Sequence, residues 1–159
     1  MLEYKVTEAM IQVKTAEALE LTLHQLIPLS RAMAVTVDQF TGTHLVLRAP
    51  LAPNINHQGS AFGGSLTAIS ALTGWGMVQL QLGLMGITAN TVVGRADTRF
   101  MRPVFGPLVC HAQLPEAFGE FKTRLRDSGK ASIYLETLVV HEGETAMQAT
   151  SQFFVRSST

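Results

Sequence analysis

The segment Asn54-Ile55-Asn56-His57-Gln58-Gly59-Ser60-Ala61-Phe62-Gly63-Gly64-Ser65 holds residues whose types and spacing point to chemistry. Pro50, Pro53, Asn54, Asn56, Gly59 and Ser60 predict a loop without regular structure, and an apolar run begins at Phe62. Paired glycines at a helix start let another group come close to the backbone, and the N–H groups of a first turn lack intrahelical partners. Those donors and the positive end of the helix dipole favour a bound oxygen that carries negative charge. This is what an oxyanion site requires, with Gly63 and Gly64 as donors. The same residues also suit a loop that simply ends in a helix cap. Ser65 is a nucleophile only with an adjacent base and an orienting group. No local Ser/His/Asp grouping is present, so hydrogen bonding at the helix start is its expected role.

The elements that must position this junction follow from periodicity. Ala16, Leu19, Leu23, Leu26 and Ile27 recur at helical spacing with Pro28 just past the end, which predicts an N-terminal helix within residues 14–30. Ala34 to Phe40 and His44 to Ala49 read as strands joined at Thr41-Gly42. A long apolar helix is expected over 62–83. After Thr88 the period changes to two. Val92, Gly94, Ala96, Thr98 and Phe100 then fall on one side of a strand, and Val93, Arg95, Asp97, Arg99 and Met101 on the other. A fourth strand covers Leu108 to Leu114, and two more, Ala131 to His141 and Thr145 to Val155, are joined by Glu142-Gly143-Glu144. The inserted segment 115–129 carries Phe118, Phe121 and Leu125 on one helical face and predicts a short helix. The order predicts one α+β domain over 1–159, in which a curved six-stranded antiparallel sheet wraps around the long helix. Such a sheet leaves edges that need cover, so self-association is expected.

Twelve basic and twelve acidic residues balance to zero net charge, which excludes a nucleic-acid protein held by phosphate neutralisation. Their distribution says more than their number. Residues 49 to 94 contain no Asp, Glu, Lys or Arg. Leu66 to Ile87 would be long enough to cross a bilayer, but Gly74, Gly76, Gly83, Gly86, Thr67, Ser70, Thr73, Gln79 and Gln81 interrupt it, and no aromatic or basic belt flanks it. A buried helix of a soluble protein is the expectation. Met1-Leu2-Glu3-Tyr4-Lys5 has no signal-peptide core, and Cys110 is alone, which excludes an internal disulfide framework and a cysteine-based zinc site. A cytoplasmic location is expected.

Asn56 followed six residues later by Phe62-Gly63-Gly64 resembles the Asn, five residues, His-Gly-Gly pattern of hotdog-fold acyl-CoA thioesterases. Thr98-Arg99-Phe100-Met101-Arg102-Pro103-Val104 resembles the third-strand Phe-Leu-Arg-Pro signature of that superfamily. The runs 49–56, 62–65 and 72–76 together resemble the thioesterase domain that some bacteria carry behind an N-terminal acetyltransferase. The resemblance implies a hotdog fold, a homodimer or dimer of dimers, and an acyl-CoA or acyl-carrier-protein thioester bound at a subunit interface. Coenzyme A or phosphopantetheine would be part of the substrate, with no separate cofactor and no metal. Asn56 would hold the attacking water or the thioester, and Gly63 and Gly64 would bind the carbonyl oxygen.

Two positions depart from the phenylacetate-pathway pattern: Phe62 stands for His, and Ala71 for a helix carboxylate. A water nucleophile still needs a proton acceptor. The candidates are His57, Asp97 and a residue of a partner subunit, with His57 otherwise a solvated loop histidine. Arg95 and Arg99 flank Asp97 at strand spacing, either as an ion-pair row or as partners for the phosphates of coenzyme A or a pantetheine arm. Thr73 orders a water or bonds the preceding turn. Trp75, Met77 and Met85 are core or line an acyl tunnel. An acyl-thioester decarboxylase or acyltransferase, and a non-catalytic acyl-thioester-binding module, are the alternative functions.

Overall fold

The computed structural model describes residues 13–158; the Met1–Lys5 segment lies outside them. The chain starts with α1 (Ala16–Leu26) and α2 (Pro28–Ala32). These are two helices where the spacing predicts one over 14–30. Pro28 has no N–H to donate, and its ring forces Ile27 out of the helical region, to φ −124° and ψ 87°. Thr15 caps α1 by accepting the Ala18 N–H.

Next come β1 (Thr36–Phe40) and β2 (His44–Ala49). The loop at 50–60 contains more order than its composition predicts: a single 3-10 turn at Ala52–Asn54 and an isolated antiparallel bridge between Ile55 and Ala61. The long helix α3 spans Gly63–Met85 with Phe62 as N-cap and Gly86, in the left-handed region at φ 70°, ending it. β3 (Ala89–Phe100), β4 (Leu108–Gln113), α4 (Phe118–Ser128), β5 (Lys130–His141) and β6 (Glu144–Ser157) follow. Phe121 and Leu125 of α4 are buried, as their shared face predicts.

All six strands form one antiparallel sheet in the order β1-β2-β4-β5-β6-β3. α3 packs against its concave face, with Ile69, Met77, Leu80 and Leu82 fully buried against Leu45, Leu47, Leu108, Leu135 and Phe153. The buried polar residues of this helix find partners. Gln79 donates to Thr91 Oγ1 at 2.9 Å, Gln81 to the Gly42 carbonyl at 2.8 Å and the Trp75 indole to the Thr91 carbonyl at 3.1 Å. The Ser70 and Thr137 hydroxyls bond each other at 2.5 Å.

The two sheet edges differ. On β1, the Val37 N–H donates to Glu20 of α1 at 2.8 Å, so a helix side chain covers this edge. β3 is a twelve-residue edge strand with Val92 62% and Phe100 56% exposed. It also departs from simple alternation. The register with β6 shifts between Val93, opposite Phe153, and Arg95, opposite Gln152. Gly94 is the extra residue of this bulge, and the Phe154 ring occupies the space that a Cβ there would need. Val92, Arg95, Asp97 and Arg99 therefore share the convex face, while Val93, Ala96, Thr98 and Phe100 face the α3 side. An unbroken period of two instead joins Val93 to the arginines.

A Cβ built at Gly83 overlaps the carbonyl of buried Val13, a backbone atom that cannot swing away. Gly83→Ala is expected to lower the unfolding free energy by up to about 2 kcal/mol in urea titration, the balance of an overpacking cost of about 1–3 kcal/mol and a ~1 kcal/mol gain in helix propensity.

Candidate active site

The loop before α3 is held by one side chain. The Asn56 carboxamide oxygen accepts the N–H groups of Gln58 (2.9 Å) and Ser60 (3.1 Å), and its nitrogen donates to Ser60 Oγ (3.0 Å) and the Ala61 carbonyl (3.4 Å). The backbone closes the same ring, with Asn56 N–H donating to the Ser60 carbonyl at 2.7 Å. An Asx residue that bonds its own downstream backbone makes a turn rigid. Asn56 thus spends its amide on the loop. Asn54 works alongside it: its buried side-chain nitrogen donates to the Met33 and Pro50 carbonyls, while its backbone carbonyl accepts the Phe62 N–H at 2.7 Å. The sequence signal for Asn54 was its place in a Pro/Asn loop.

These bonds fix the first turn of α3. The first bond that closes the helix runs from Leu66 N–H to the Phe62 carbonyl at 3.0 Å. The N–H groups of Gly63, Gly64 and Ser65 have no hydrogen-bond partner among the described residues, and no side chain caps Phe62. The Phe62 ring lies over Gly64 so closely that a Cβ there would overlap it. Phe100 is at ordinary contact, 3.7 Å, from the position of a Cβ on Gly63. Both glycines are therefore places where aromatic rings approach bare backbone, as a helix start with close neighbours requires.

A pocket of about 280 Å³ opens at this turn, lined by Ala61, Gly63, Leu66, Phe100, Met101, Arg102 and Pro103. Arg102 pairs with Glu144 and also lines the neighbouring pocket that holds His141 and Glu142. Arg102 and Met101 lie in the segment 98–104, but strand spacing alone gave them no role; they reach the site because β3 runs back antiparallel to α3.

Other candidates are placed apart. His57 is exposed at the tip of the loop, and its ring makes no hydrogen bond among the described residues. Ser65 bonds no base. Thr73 is fully buried, with its hydroxyl donating to the Ile69 carbonyl at 2.6 Å, and it neighbours Cys110, whose thiol burial pushes up to about 12. That thiol stays protonated and is a core group. Arg95 and Asp97 pair at 3.6 Å on the convex face, both well exposed, with Arg99 beside them. The sheet stands between this row and α3. The structure thus brings together Asn56, Phe62, Gly63, Gly64 and Ser65, and separates from them Thr73, Arg95, Asp97 and Arg99. Among the described residues no group of three or more His, Cys, Asp or Glu is placed to hold a metal ion.

Residues 16–157 match the family described as putative thioesterase (yiiD_Cterm). The chain belongs to this family. The yiiD_Cterm match spans all the elements from α1 to β6 and so includes the whole site. Solved structures agree. A protein of unknown function from Chlorobaculum tepidum superposes with a TM-score of 0.86 at 28% identity, covering 90% of this chain and 94% of that one. A putative thioesterase from Shewanella oneidensis has a TM-score of 0.80 at 32% identity, covering 87% and 95%. A thioesterase from Haemophilus influenzae shares the fold, with a TM-score of 0.65 at 13% identity over 92% and 94% of the two chains. The architecture is the hotdog fold of these thioesterases. No described helix is long and apolar enough to cross a membrane.

Asn56→Ala removes two acceptor and two donor contacts from a half-buried loop. It is expected to cost about 1–3 kcal/mol of stability and to speed amide exchange over residues 57–61. Asn56→Asp keeps the acceptor and is expected to lose less than half as much, as read by hydrogen exchange and thermal melting.

Proposed function

We propose that this yiiD_Cterm protein hydrolyses an acyl thioester, of coenzyme A or of an acyl-carrier protein, at the N-terminus of α3. The observation that carries the reading is the set of unpartnered N–H groups at Gly63, Gly64 and Ser65 in the first turn of α3, where Gly63 lines a pocket and the preceding loop is held by Asn56 and Asn54. When a nucleophile adds to a thioester, negative charge builds on the carbonyl oxygen. Donors already fixed toward that oxygen stabilise the transition state without reorganising, and the helix dipole acts in the same direction. Gly63 and Gly64 bind the oxyanion in this reading, Phe62 and Ser65 frame it, and Asn56 is a positioning residue. In this reading Arg102, which lines the pocket and exchanges its surface pairing with Glu144 for the ligand, meets the substrate's phosphate-bearing arm, while Arg95 and Arg99 lie across the sheet.

The site is completed by a second copy. β3 offers an unpaired edge flanked by exposed Val92, Val93, Phe100 and Met101, which is unfavourable in water and is removed by pairing with another β3. Such a dimer, alone or doubled, brings partner side chains up to the pocket. The residues lining it from this chain include no carboxylate and no histidine, so the proton acceptor for water comes from the partner subunit in this account, rather than from His57 or Asp97. The same lining favours, as a second reading, binding or transfer of the acyl group without hydrolysis. Product analysis with malonyl and simple acyl thioesters separates the two.

Gly63→Pro is a selective test. Proline is well accepted at the first helical position, and Phe62 already has the extended conformation that a following proline demands, φ −62° and ψ 131°. The variant deletes one N–H and leaves the helix intact. Thiol release from acyl-CoA is expected to fall by about 10²–10³-fold with an unchanged circular dichroism spectrum. Equal turnover by variant and parent removes the Gly63 donor from the mechanism.

A further inference from the structure

We infer that the convex face of the sheet carries, between the N-terminal end of β3 and the start of β5, a binding site for a phosphate monoester with an aromatic or short apolar body. A cavity of about 400 Å³ lies there, and Asn90, Val92, Lys130, Ser132, Phe154 and Arg156 line it. That volume falls within the range of small-molecule sites. The cavity is remote from the turn at Gly63. Phe100 meets that turn, whereas Asn90 is ten residues back along β3, roughly 33 Å of extended strand, and shares the convex face with Val92. Binding there is independent of the thioester chemistry at Gly63.

The strand register puts two cations side by side. Lys130 is opposite Arg156 where β5 pairs with β6, and Arg156 is opposite Asn90 where β6 pairs with β3. Directly opposed residues of an antiparallel pair have Cβ atoms about 5 Å apart, and like charges there are destabilising. Arg95, on the same face, has Asp97 as its partner, but neither Lys130 nor Arg156 makes an ion pair among the described residues. An anion seated between them turns this repulsion into attraction. Two positive charges match a nearly dianionic phosphate monoester better than a carboxylate, and a guanidinium takes phosphate oxygens in pairs. Ser132 is equipped to donate as well. Its hydroxyl oxygen accepts the Gln152 carboxamide N–H at 3.3 Å, which leaves its own proton free for a ligand oxygen.

The neighbouring row on this face supplies an apolar wall. Ser132, Phe154 and Val92 are opposite one another, next to the row of Lys130, Arg156 and Asn90. The Phe154 ring occupies the space that a side chain on Gly94 would need, yet it remains 45% exposed beside the exposed Val92. A flat apolar group can stack on Phe154 and cover Val92 while its phosphate reaches Lys130 and Arg156. The combination sets the ligand class. Inorganic phosphate lacks the body, and a neutral aromatic lacks the charge.

Phenyl phosphate is titrated into the whole chain at low salt by calorimetry, with inorganic phosphate, benzoate and benzyl alcohol as comparisons. It is expected to bind at least about tenfold more tightly than any of the three. ¹⁵N spectra are expected to show shifts at Asn90, Ser132 and Arg156, with Gly63 and Gly64 unmoved. Lys130→Gln and Arg156→Gln replace exposed side chains, and each should weaken phenyl phosphate at least about fivefold. Without ligand, both variants should melt about 1–3 °C above the parent, because the repulsion is relieved.

Equal affinity for inorganic phosphate or for benzyl alcohol overturns the site, and equal affinity for benzoate overturns the phosphate class. Shifts confined to Gly63 and Gly64 overturn its location. Variants that bind as tightly as the parent, or that melt below it, overturn the role of the paired cations. If the cavity takes phenyl phosphate only after dilution of the protein or removal of residues 1–12, a second copy or that segment is its occupant and the inference is overturned.

Discussion

An uncharged helix laid against a curved sheet is the constraint from which the rest of this structure follows. α3 has no ion pair to offer water, and its polar side chains Ser70, Gln79 and Gln81 reach partners only when the sheet and the Thr41–Gly42 turn are in place. An unpaired buried amide costs about 1–3 kcal/mol. The helix is therefore stable only inside this wrapping, and the sheet has a core only because the helix fills it. Where the wrapping stops, chemistry becomes available. The N-terminal turn keeps its N–H groups free, since Phe62 caps it with no side-chain acceptor and the glycines leave the backbone bare.

The same economy explains the edge. β1 ends against α1, with Glu20 taking the Val37 N–H, while β3 is left long and open, with Val92, Val93 and Phe100 exposed. The bulge at Gly94 decides what that edge presents. It turns the Arg95–Asp97–Arg99 row to the convex face and leaves Ala96, Thr98 and Phe100 on the α3 side, so charge is kept away from the helix. A strand without the bulge would put the arginines beside α3.

The element order was legible because the local patterns were long: Arg95 to Phe100 alternates, Phe118, Phe121 and Leu125 share a face, and the uncharged stretch marks the buried helix. The glycine pair and its free donors were legible for the same local reason, since a loop-to-helix junction leaves first-turn N–H groups unpaired wherever it occurs. Pro28 marked the end of the first helix, but the second short helix, Pro28–Ala32, was hidden because five residues are too few to show a helical period. The register shift at Gly94 depends on the Phe154 ring from β6, a contact between distant parts of the chain. The roles of Asn56 and Thr73 depend on which hydrogen bonds their side chains find. Residue type alone cannot tell an amide that holds a loop from one that holds a substrate, nor a hydroxyl that bonds Ile69 in the core from one that orders water.

The central claim is that the first-turn N–H groups of α3 bind the thioester carbonyl. Glycine-selective ¹⁵N labelling followed by titration with a non-hydrolysable ketone analogue of an acyl-CoA, in which a methylene separates the carbonyl from the thioether sulfur, measures this directly. The account predicts that the Gly63 and Gly64 amide signals shift downfield on binding and exchange more slowly with solvent, while Gly42 and Gly119, remote from the site, stay in place. Binding that leaves both α3 amides unmoved and shifts glycines elsewhere would contradict it.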